Sequence, residues 1–239
     1  MFNSAMTVRE VAIQLPESTK LFESLKIDYC CGGKRPLTEA CDLAGVEVEN
    51  VMAMLTVLSR AKGKAKDTVN LQELSLTGLI THILETHHTF TKSEMERLTV
   101  LIDKVRTAHG VNHPELAKVA DLFERLCADL KPHMFKEEQV LFPYMVRLDE
   151  ASSQNRPRPF APFGVVDNPI RMMETEHETA GSILHELRAT TSDYNVPTDG
   201  CLSYQTLYRA LADFEKDLYQ HIHLENNILF PKAIALEAH

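Results

Sequence analysis

Histidine and glutamate recur with one spacing at two places in the chain. The segments that begin at His133 and at His221 both read H-x-x-x-E-x-x-x-L-F-P, which places the glutamates at Glu137 and Glu225. Residues four apart on an α-helix lie one turn apart on the same face. Each segment therefore aims an imidazole nitrogen and a carboxylate at one point beside its helix. Two such helices facing each other can hold two metal ions with a bridging carboxylate.

The duplication extends to a second pair of histidines. The segment I-L-E-T-H-H, which ends at His88, resembles M-M-E-T-E-H, which ends at His177. His88 precedes His133 by 45 residues, and His177 precedes His221 by 44. We interpret this as four helices that each supply one histidine and are related by a pseudo-twofold axis. The predicted metal ligands are His88, His133, His177 and His221, with Glu137 and Glu225 as bridges.

The predicted ligand types favour iron. Two six-coordinate ions need roughly twelve donor atoms, and four imidazoles with two bidentate carboxylates supply about eight. About four positions would remain for oxide, water or a small exogenous molecule. Zinc prefers four ligands in a tetrahedron and has no use for two shared carboxylates, and calcium prefers oxygen ligands. Manganese or a mixed pair is left open by this reasoning.

A rival ligand set shares two of these histidines. Glu85-x-x-His88 and Glu174-x-x-His177 match the E-x-x-H motif of ferritin-like di-iron bundles. That scheme leaves the other two repeated histidines without a role, so we favour the first set. Glu176, next to His177, is a candidate for a supporting base or an occasional ligand, and a solvated helix residue is an equally good interpretation.

Two adjacent cysteines, Cys30 and Cys31, precede a pair of glycines. Neighbouring cysteines do not easily close a relaxed disulfide, because the small ring distorts the peptide. They are candidates for redox or transfer chemistry, although a buried structural pair explains the motif equally well. The other three, Cys41, Cys127 and Cys201, lie in or beside apolar helical patterns and are interpreted as core or incidental. The total of five cysteines is a poor match to a disulfide framework and predicts a reduced, cytoplasmic protein.

Composition excludes several functions. The net charge of −9 argues against a nucleic-acid partner, which would require a positive face. No apolar run approaches the ~20 residues that span a bilayer, and the N-terminus lacks a basic region followed by an apolar stretch. We therefore expect neither a membrane span nor a secretory signal.

The apolar pattern predicts an all-α protein in two units. Residues 1–58 form a small helical domain in which Thr7 and Glu10 have the spacing of a capping box. Residues 59–70 are charged, lack an apolar face and are expected to be a linker. Residues 71–239 contain four long helical patterns and no strand of useful length, which predicts a four-helix bundle.

Prolines and one asparagine mark the crossover loop and the helix ends of the predicted bundle. Residues 151–169 carry four prolines and form a long crossover loop at the midpoint of the duplication. Asn168 is expected to cap the third helix, with Pro169 at its first position. Pro143 and Pro231 end the repeated motif, and each is expected to kink or stop its helix.

These motifs together resemble a known family. The segment Asp28-Tyr-Cys-Cys-Gly-Gly-Lys34 in a short N-terminal domain, followed by the doubled H-x-x-x-E-x-x-x-L-F-P, is similar to the repair-of-iron-centres proteins (RIC, ScdA/YtfE-like). The resemblance implies an ScdA-type domain over about 1–58 and a hemerythrin-like bundle from about residue 71 onward. It implies an oxo- and carboxylate-bridged di-iron centre on the ligands predicted above. His87 and His223 are additional histidines beside ligands that would alter access to the centre.

The resemblance also implies a function. It points to a cytoplasmic bacterial protein that helps to restore iron–sulfur clusters damaged by nitrosative or oxidative stress, as a non-enzymatic iron donor. Cys30 and Cys31 would then serve as a docking or transfer arm, the partners would be damaged iron–sulfur proteins, and a homodimer is allowed. The alternatives are nitric oxide binding, scavenging or reduction at the di-iron centre, and oxygen or redox sensing. Nitric oxide or dioxygen would be the small ligands.

Overall fold

A computed structural model describes residues 2–30, 32–61 and 71–238. The first part of the chain is a compact group of short helices. Thr7 and Glu10 form the predicted capping box, in which the Glu10 amide donates to the Thr7 hydroxyl (3.2 Å) and the Thr7 amide donates to the Glu10 carboxylate (2.8 Å). The helices are α1 (Val8–Gln14), α2 (Ser18–Ser24), α3 (Leu37–Ala44) and α4 (Val48–Ala61).

The rest of the described chain folds as four long helical rods. The first rod is α5 (Leu76–Ile83) and α6 (Thr89–His109), the second is α7 (Glu115–Lys136) and α8 (Phe142–Ser153), the third is α9 (Asp167–Thr190), and the fourth is α10 (Leu202–Leu224) and α11 (Phe230–Glu237). The predicted all-α class and helical bundle are confirmed. Among the described residues, extended pairing is limited to one isolated bridge between Thr7 and Pro36.

Three of the rods contain a π-helical turn where their two helices join. The first π turn is Leu84–His88, the second is Glu137–Leu141 and the third is Glu225–Leu229. Pro143 and Pro231 were expected to kink or stop their helices, and neither stops its rod, because each proline lies at the second position of the helix that follows a π turn. The widened turn accommodates the prolyl ring and its missing N–H, so the rod continues.

The third rod begins differently from the prediction. Its helix starts at Asp167, so Asn168 lies inside the first turn rather than at the cap. The Asn168 side-chain amide instead donates backward to the carbonyl of Phe163 (3.0 Å). The amide of Val166 is satisfied by the Glu237 carboxylate (2.9 Å), which lies 71 residues further along the chain, so sequence spacing does not reveal it.

The bundle has two apolar cores separated by a polar layer. One core includes Met95, Met134, Ala180 and Ile222, and the other includes Ile83, Leu141, Met173 and Ile228. Along every rod the predicted metal ligands fall between residues of these two cores. The core side chains on both sides of this layer shield its polar groups from water.

The N-terminal helices have their own apolar core and pack on the bundle. The side-chain amide of Asn227 donates to the carbonyl of Tyr29 (3.1 Å), and the Tyr29 ring packs edge-on against His223 with 5.3 Å between ring centroids. An ion pair joins Lys34 to Glu174 (3.1 Å). Whether this unit packs or swings was open at the sequence level, and these contacts show that it packs.

Part of the predicted linker and one of the paired cysteines lie outside the described residues. Residues 62–70 and Cys31 belong to this group. The helix α4 extends to Ala61, three residues beyond the predicted end of the N-terminal domain. In the described ranges we find no helix that combines the length and the apolar character needed to span a bilayer.

Candidate metal centre

The predicted ligands reach the polar layer from all four rods. His88 closes the first π turn, and Glu137 and Glu225 open the second and third. His133 and His221 lie one turn earlier, near the ends of α7 and α10, so each remains on the same face as the glutamate that follows it. The remaining ligand, His177, is inside α9.

The six side chains form two groups that share both glutamates. The first group is His88, Glu137, His221 and Glu225, and the second is His133, Glu137, His177 and Glu225. Within each group, one ligand atom from each residue lies within 4.8 Å of those from the other three. Within the groups, the Nε2 atoms of His88 and His221 are 3.1 Å apart, and those of His133 and His177 are 3.0 Å apart. All four Nε2 atoms therefore point into the layer.

Each glutamate lies between the two histidine pairs. The Oε2 atom of Glu137 is 3.4 Å from the Nε2 atoms of both His88 and His133. Glu225 places one oxygen 2.9 Å from His221 and the other 3.1 Å from His177. This is the arrangement that a carboxylate bridging two metal ions requires.

The cluster is fully buried. Glu137 and Glu225 have no exposed surface, and each of the four histidines is at most 2% exposed. Both carboxylate oxygens of Glu137 and one of Glu225 make no hydrogen bond of good geometry with a described residue, although imidazole nitrogens lie 3.1–3.4 Å from two of these three oxygens. A buried carboxylate without partners is costly, and cations placed at the layer would remove that cost.

The charges in the layer favour cations. Burial alone lowers the pKa of His88, but the hydrogen bonds and charges of Glu137 and Glu225 outweigh it and raise the pKa to about 10. Burial lowers the pKa of His177 in the same way, and Glu225 raises it to about 9. Burial raises the pKa of Glu225, but the charge and hydrogen bonds of His221 and His177 bring it well below its ordinary value. In the metal-free chain, protons on these imidazoles thus neutralise the carboxylates, as metal ions would in the loaded chain.

Three of the histidines are oriented by side chains behind them. The Nδ1 atoms of His88, His133 and His177 lie 2.7, 2.8 and 2.8 Å from oxygen atoms of Glu138, Glu176 and Asn226, respectively. An acceptor at Nδ1 fixes the tautomer that leaves Nε2 free to bind a metal and makes that nitrogen more basic. Glu176 is therefore a supporting residue here, one of the two roles considered for it from the sequence.

Sequence reasoning missed Glu138 and Asn226. Each directly follows a bridging glutamate, so the repeat of Glu137 and Glu225 carried a signal that could have found them. Lys92 donates to Glu138 (2.6 Å), and Lys136 pairs with Glu176, which keeps both supporting carboxylates charged.

The rival ferritin-like ligand set does not assemble. Glu85 is exposed to solvent, and Glu174 is half-buried and paired with Lys34 of the N-terminal unit. Neither residue belongs to the two metal-competent groups of the described chain. His133 and His221, which this scheme leaves without a role, both belong to those groups.

The additional histidines beside the ligands have distinct surroundings. The His87 ring is stacked on the ring of His221, and its Nδ1 atom lies 3.0 Å from Asp217. His223 lies at the contact with the N-terminal unit, where its Nδ1 accepts a hydrogen bond from Asn227 (2.9 Å). Neither is among the groups that gather around the two glutamates.

Of the two candidate transfer cysteines, the structure describes Cys30. Its thiol is 4% exposed and donates to the Asp28 carboxylate (3.2 Å). Cys30 also lines a cavity of about 660 Å³ between the N-terminal unit and the bundle. Cys41 and Cys127 are buried as predicted, whereas Cys201 is exposed at the start of α10.

Comparison with known proteins identifies the bundle. Residues 79–233 match the model of the hemerythrin HHE cation binding domain. The chain belongs to the hemerythrin HHE family. Residues 4–59 match a second model, ScdA_N, described as a domain of unknown function. The metal-competent layer thus lies within the hemerythrin match, and Cys30 lies within the other.

Several named relatives match the chain over nearly its whole length. A protein of Haemophilus influenzae named probable iron-sulfur cluster repair protein is 32% identical over 94% of this chain and 95% of its own. Proteins named iron-sulfur cluster repair protein YtfE from Yersinia pseudotuberculosis and Yersinia pestis are also 32% identical, over 94% of each chain. The family resemblance drawn from the motifs is confirmed, and this hemerythrin-type chain belongs with these YtfE-like proteins.

Proposed function

We propose that this chain holds two iron ions in the buried layer and takes part in the repair of damaged iron–sulfur clusters, as a donor of that iron. One observation carries the proposal: two histidine pairs face each other across two shared, fully buried glutamates. His88 and His221 would bind one ion, His133 and His177 the other, and Glu137 and Glu225 would bridge them. An oxide bridge would complete the pair.

The donor set fits this assignment. Imidazole nitrogen with carboxylate oxygen suits iron in sites that keep open coordination positions. A structural zinc site would instead be closed by four ligands around one ion and would not share two carboxylates. The unpartnered oxygens of Glu137 and Glu225 supply the negative charge that a pair of cations needs.

The bound iron pair would supply exchangeable, redox-active ions with positions open to a small ligand. The protein supplies the rest. Glu138, Glu176 and Asn226 hold three imidazoles in the tautomer that leaves Nε2 free. The two apolar cores keep bulk water from the layer, so the ions would be retained until a client is present.

The repair role is supported by the names of the relatives, which describe iron–sulfur cluster repair proteins. A damaged iron–sulfur protein is then the partner, and iron is the cargo. This role does not require turnover, so we describe the chain as a repair protein rather than as an enzyme. Response to nitrosative or oxidative stress and a cytoplasmic location are parts of the same proposal. The free thiols of Cys41, Cys127 and Cys201 agree with a reducing compartment.

We propose the division into an N-terminal domain (1–58), a linker (59–70) and a di-iron bundle (71–239) as the functional layout. The separate apolar core of the first helices supports it. In this layout the N-terminal domain docks the client, and Cys30 and Cys31 act in transfer. The cavity beside Cys30 offers a place for such an exchange, since the thiol itself is buried.

Nitric oxide binding is the second candidate function. Two six-coordinate ions need roughly twelve donors and the six side chains offer about eight, so about four positions would accept a small ligand. Anaerobic stopped-flow mixing of the iron-loaded chain with nitric oxide separates the two roles. Several cycles of nitrous oxide formation would favour a reductase, whereas stoichiometric binding followed by iron loss would favour repair.

Metal analysis of bridge variants tests the proposed centre. We expect the chain to bind two irons and Glu137→Ala and Glu225→Ala to bind fewer, because each removes a ligand shared by both ions. Glu186→Ala is the control, since Glu186 is a half-exposed partner of Lys118 on the bundle surface. If both bridge variants retain two irons per chain, the assignment of the bridges is wrong.

Iron transfer is tested with a client. The iron-loaded chain is mixed anaerobically with an iron–sulfur protein whose cluster has lost iron, and recovery of the cluster absorption is followed. Recovery matched by loss of iron from the chain supports the donor role. Recovery without iron loss, or no recovery beyond that given by the same amount of free ferrous ion, contradicts it.

A further inference from the structure

The two histidine pairs of the layer are not supported equally. In one pair, His133 and His177 both have an acceptor at Nδ1, supplied by Glu176 and Asn226. In the other pair, His88 has Glu138, but the Nδ1 atom of His221 is buried and has no hydrogen-bond partner among the described residues. The difference between the pairs lies at this one nitrogen.

The duplication shows why His221 lacks an acceptor. Glu176 directly precedes the ligand His177 and reaches across to His133 on the neighbouring rod. His87 directly precedes the ligand His88 and reaches across to His221 in the same way. A carboxylate in one half of the repeat is thus replaced by an imidazole in the other.

That imidazole does not act as an acceptor for His221. The two rings are nearly parallel, with 6° between their planes and 5.6 Å between their centroids. A stacked ring presents its face rather than a nitrogen lone pair to its neighbour. The Nδ1 atom of His87 is engaged elsewhere, 3.0 Å from an oxygen of Asp217. His87 is 4% exposed, so it also keeps water away from this side of His221.

We infer that the ion between His88 and His221 is the one that the chain releases first, and that His87 is the positioning residue that makes it so. The inference rests on the proposed dinuclear centre. A hydrogen bond to the distal nitrogen orients a ligating imidazole and raises its basicity, and its loss typically lowers metal affinity about 10- to 100-fold. The other features of the two pairs match: each has one supporting carboxylate, Glu138 or Glu176, and each of these carboxylates is paired with a lysine.

The unequal support has a use in transfer. Releasing one ion leaves the other bound by His133 and His177 together with the two glutamates. A cation then remains between the buried carboxylates of Glu137 and Glu225. The protein therefore never holds both of these charges in the buried layer without a metal ion. The chain would donate one iron per loading cycle and keep the second as a structural ion.

Release kinetics test this inference. The full chain is loaded anaerobically with ferrous iron to saturation, the bound iron is counted, and an excess of a colour-forming ferrous chelator is added. We expect two phases of equal amplitude whose rates differ about 10- to 100-fold. Diffraction from crystals stopped after the first phase, with anomalous differences at the iron edge, should locate the retained ion between His133 and His177.

Two variants test the role of His87. His87→Gln offers an amide oxygen to His221 and should slow the fast phase toward the slow one without changing iron stoichiometry. Asn226→Ala removes the acceptor from His177 and should raise the slow phase to the rate of the fast one. A general weakening of the fold would speed both phases in either variant, so slowing by His87→Gln cannot come from a structural defect.

The outcomes separate this inference from the proposed centre. Equal release of both ions in the unmodified chain, or retention of the ion at His88 and His221, overturns the inference and leaves the dinuclear centre in place. If the chain never binds more than one ion, the dinuclear centre and the inference fall together. If the phases are unequal but His87→Gln leaves the fast rate unchanged, the role assigned to His87 is wrong.

Discussion

The bridging role of Glu137 predicts that one substitution costs more stability in the presence of metal than in its absence. The substitution is Glu137→Gln, which preserves side-chain size and removes the charge. In the metal-free chain the Glu137 carboxylate is fully buried, both oxygens lack hydrogen-bond partners among the described residues, and the nearest Nε2 atoms, those of His88 and His133, are 3.4 Å away. A buried group left in this condition costs about 1–3 kcal/mol.

Glutamine occupies the same space, but its amide is buried in the same condition, so this cost remains. The substitution also removes part of the negative charge that holds the proton on His88. We expect the free energy of unfolding of the metal-free variant to fall by about 1–3 kcal/mol. For a chain of this size each kcal/mol corresponds to about 2–4 °C in Tm.

The loaded chain should lose more stability than the metal-free chain. A metal ion at a hundred times its Kd adds about 2.7 kcal/mol to the free energy of unfolding. Glu137 is shared by both ion positions, so its loss weakens both, and the increment gained on loading should shrink by up to this amount for each ion. The loaded variant should then melt below the loaded parent.

Anaerobic thermal unfolding followed by circular dichroism, with and without ferrous iron, measures both effects. Glu186→Gln is the control; as a surface change it should alter either state by no more than about 0.5 kcal/mol. If Glu137→Gln lowers or raises Tm equally in both states, Glu137 does not bind metal and the reasoning about the layer is refuted.

Two further predictions concern charges away from the centre. Arg188→Met should lower the free energy of unfolding, measured by denaturant titration, by about 3–5 kcal/mol, because it leaves the buried carboxylate of Glu215 without its ion pair. Lys118→Met is the control. It breaks an exposed ion pair and should cost less than about 1 kcal/mol. Backbone hydrogen bonds at the start of α10 and a hydrogen bond from His109 lower the pKa of the Cys201 thiol to about 7. The rate of Cys201 alkylation by iodoacetamide, read by mass spectrometry, should therefore rise as pH passes about 7, and His109→Ala should move that rise to higher pH. Equal costs for the two cation variants, or an unchanged alkylation profile, would contradict these arguments.

The regular spacing of residues explains why the fold was predictable. Helical apolar patterns and the doubled H-x-x-x-E segment depend on neighbours within one or two turns, and such neighbours are fixed by helix geometry alone. The capping box of Thr7 and Glu10 is equally local and forms as predicted. Pro143 and Pro231 do not stop their helices, because π turns, which the sequence pattern does not reveal, accommodate both prolines.

The surroundings of the ligands were less predictable. Glu138 and Asn226 support imidazoles on other rods, across 50 and 49 residues of sequence. Which side chain fills the space behind a ligand depends on how the rods are rotated against each other, and periodicity does not determine that rotation. For the same reason, the burial of Cys30 beneath the docked N-terminal helices was not visible in its glycine-flanked motif.

The amino-acid sequence is sufficient to predict that this chain is helical, that it is duplicated, and that six side chains of metal-binding type recur in two similarly spaced sets. These are consequences of short-range geometry and of a repeat that can be read letter by letter. The folded chain shows in addition that the four histidines divide into two pairs across two glutamates, and that His221 alone among them lacks an acceptor in the described part of the chain. The reason is physical: packing forces determine which rods meet and at what rotation, and they act between residues that are far apart in sequence.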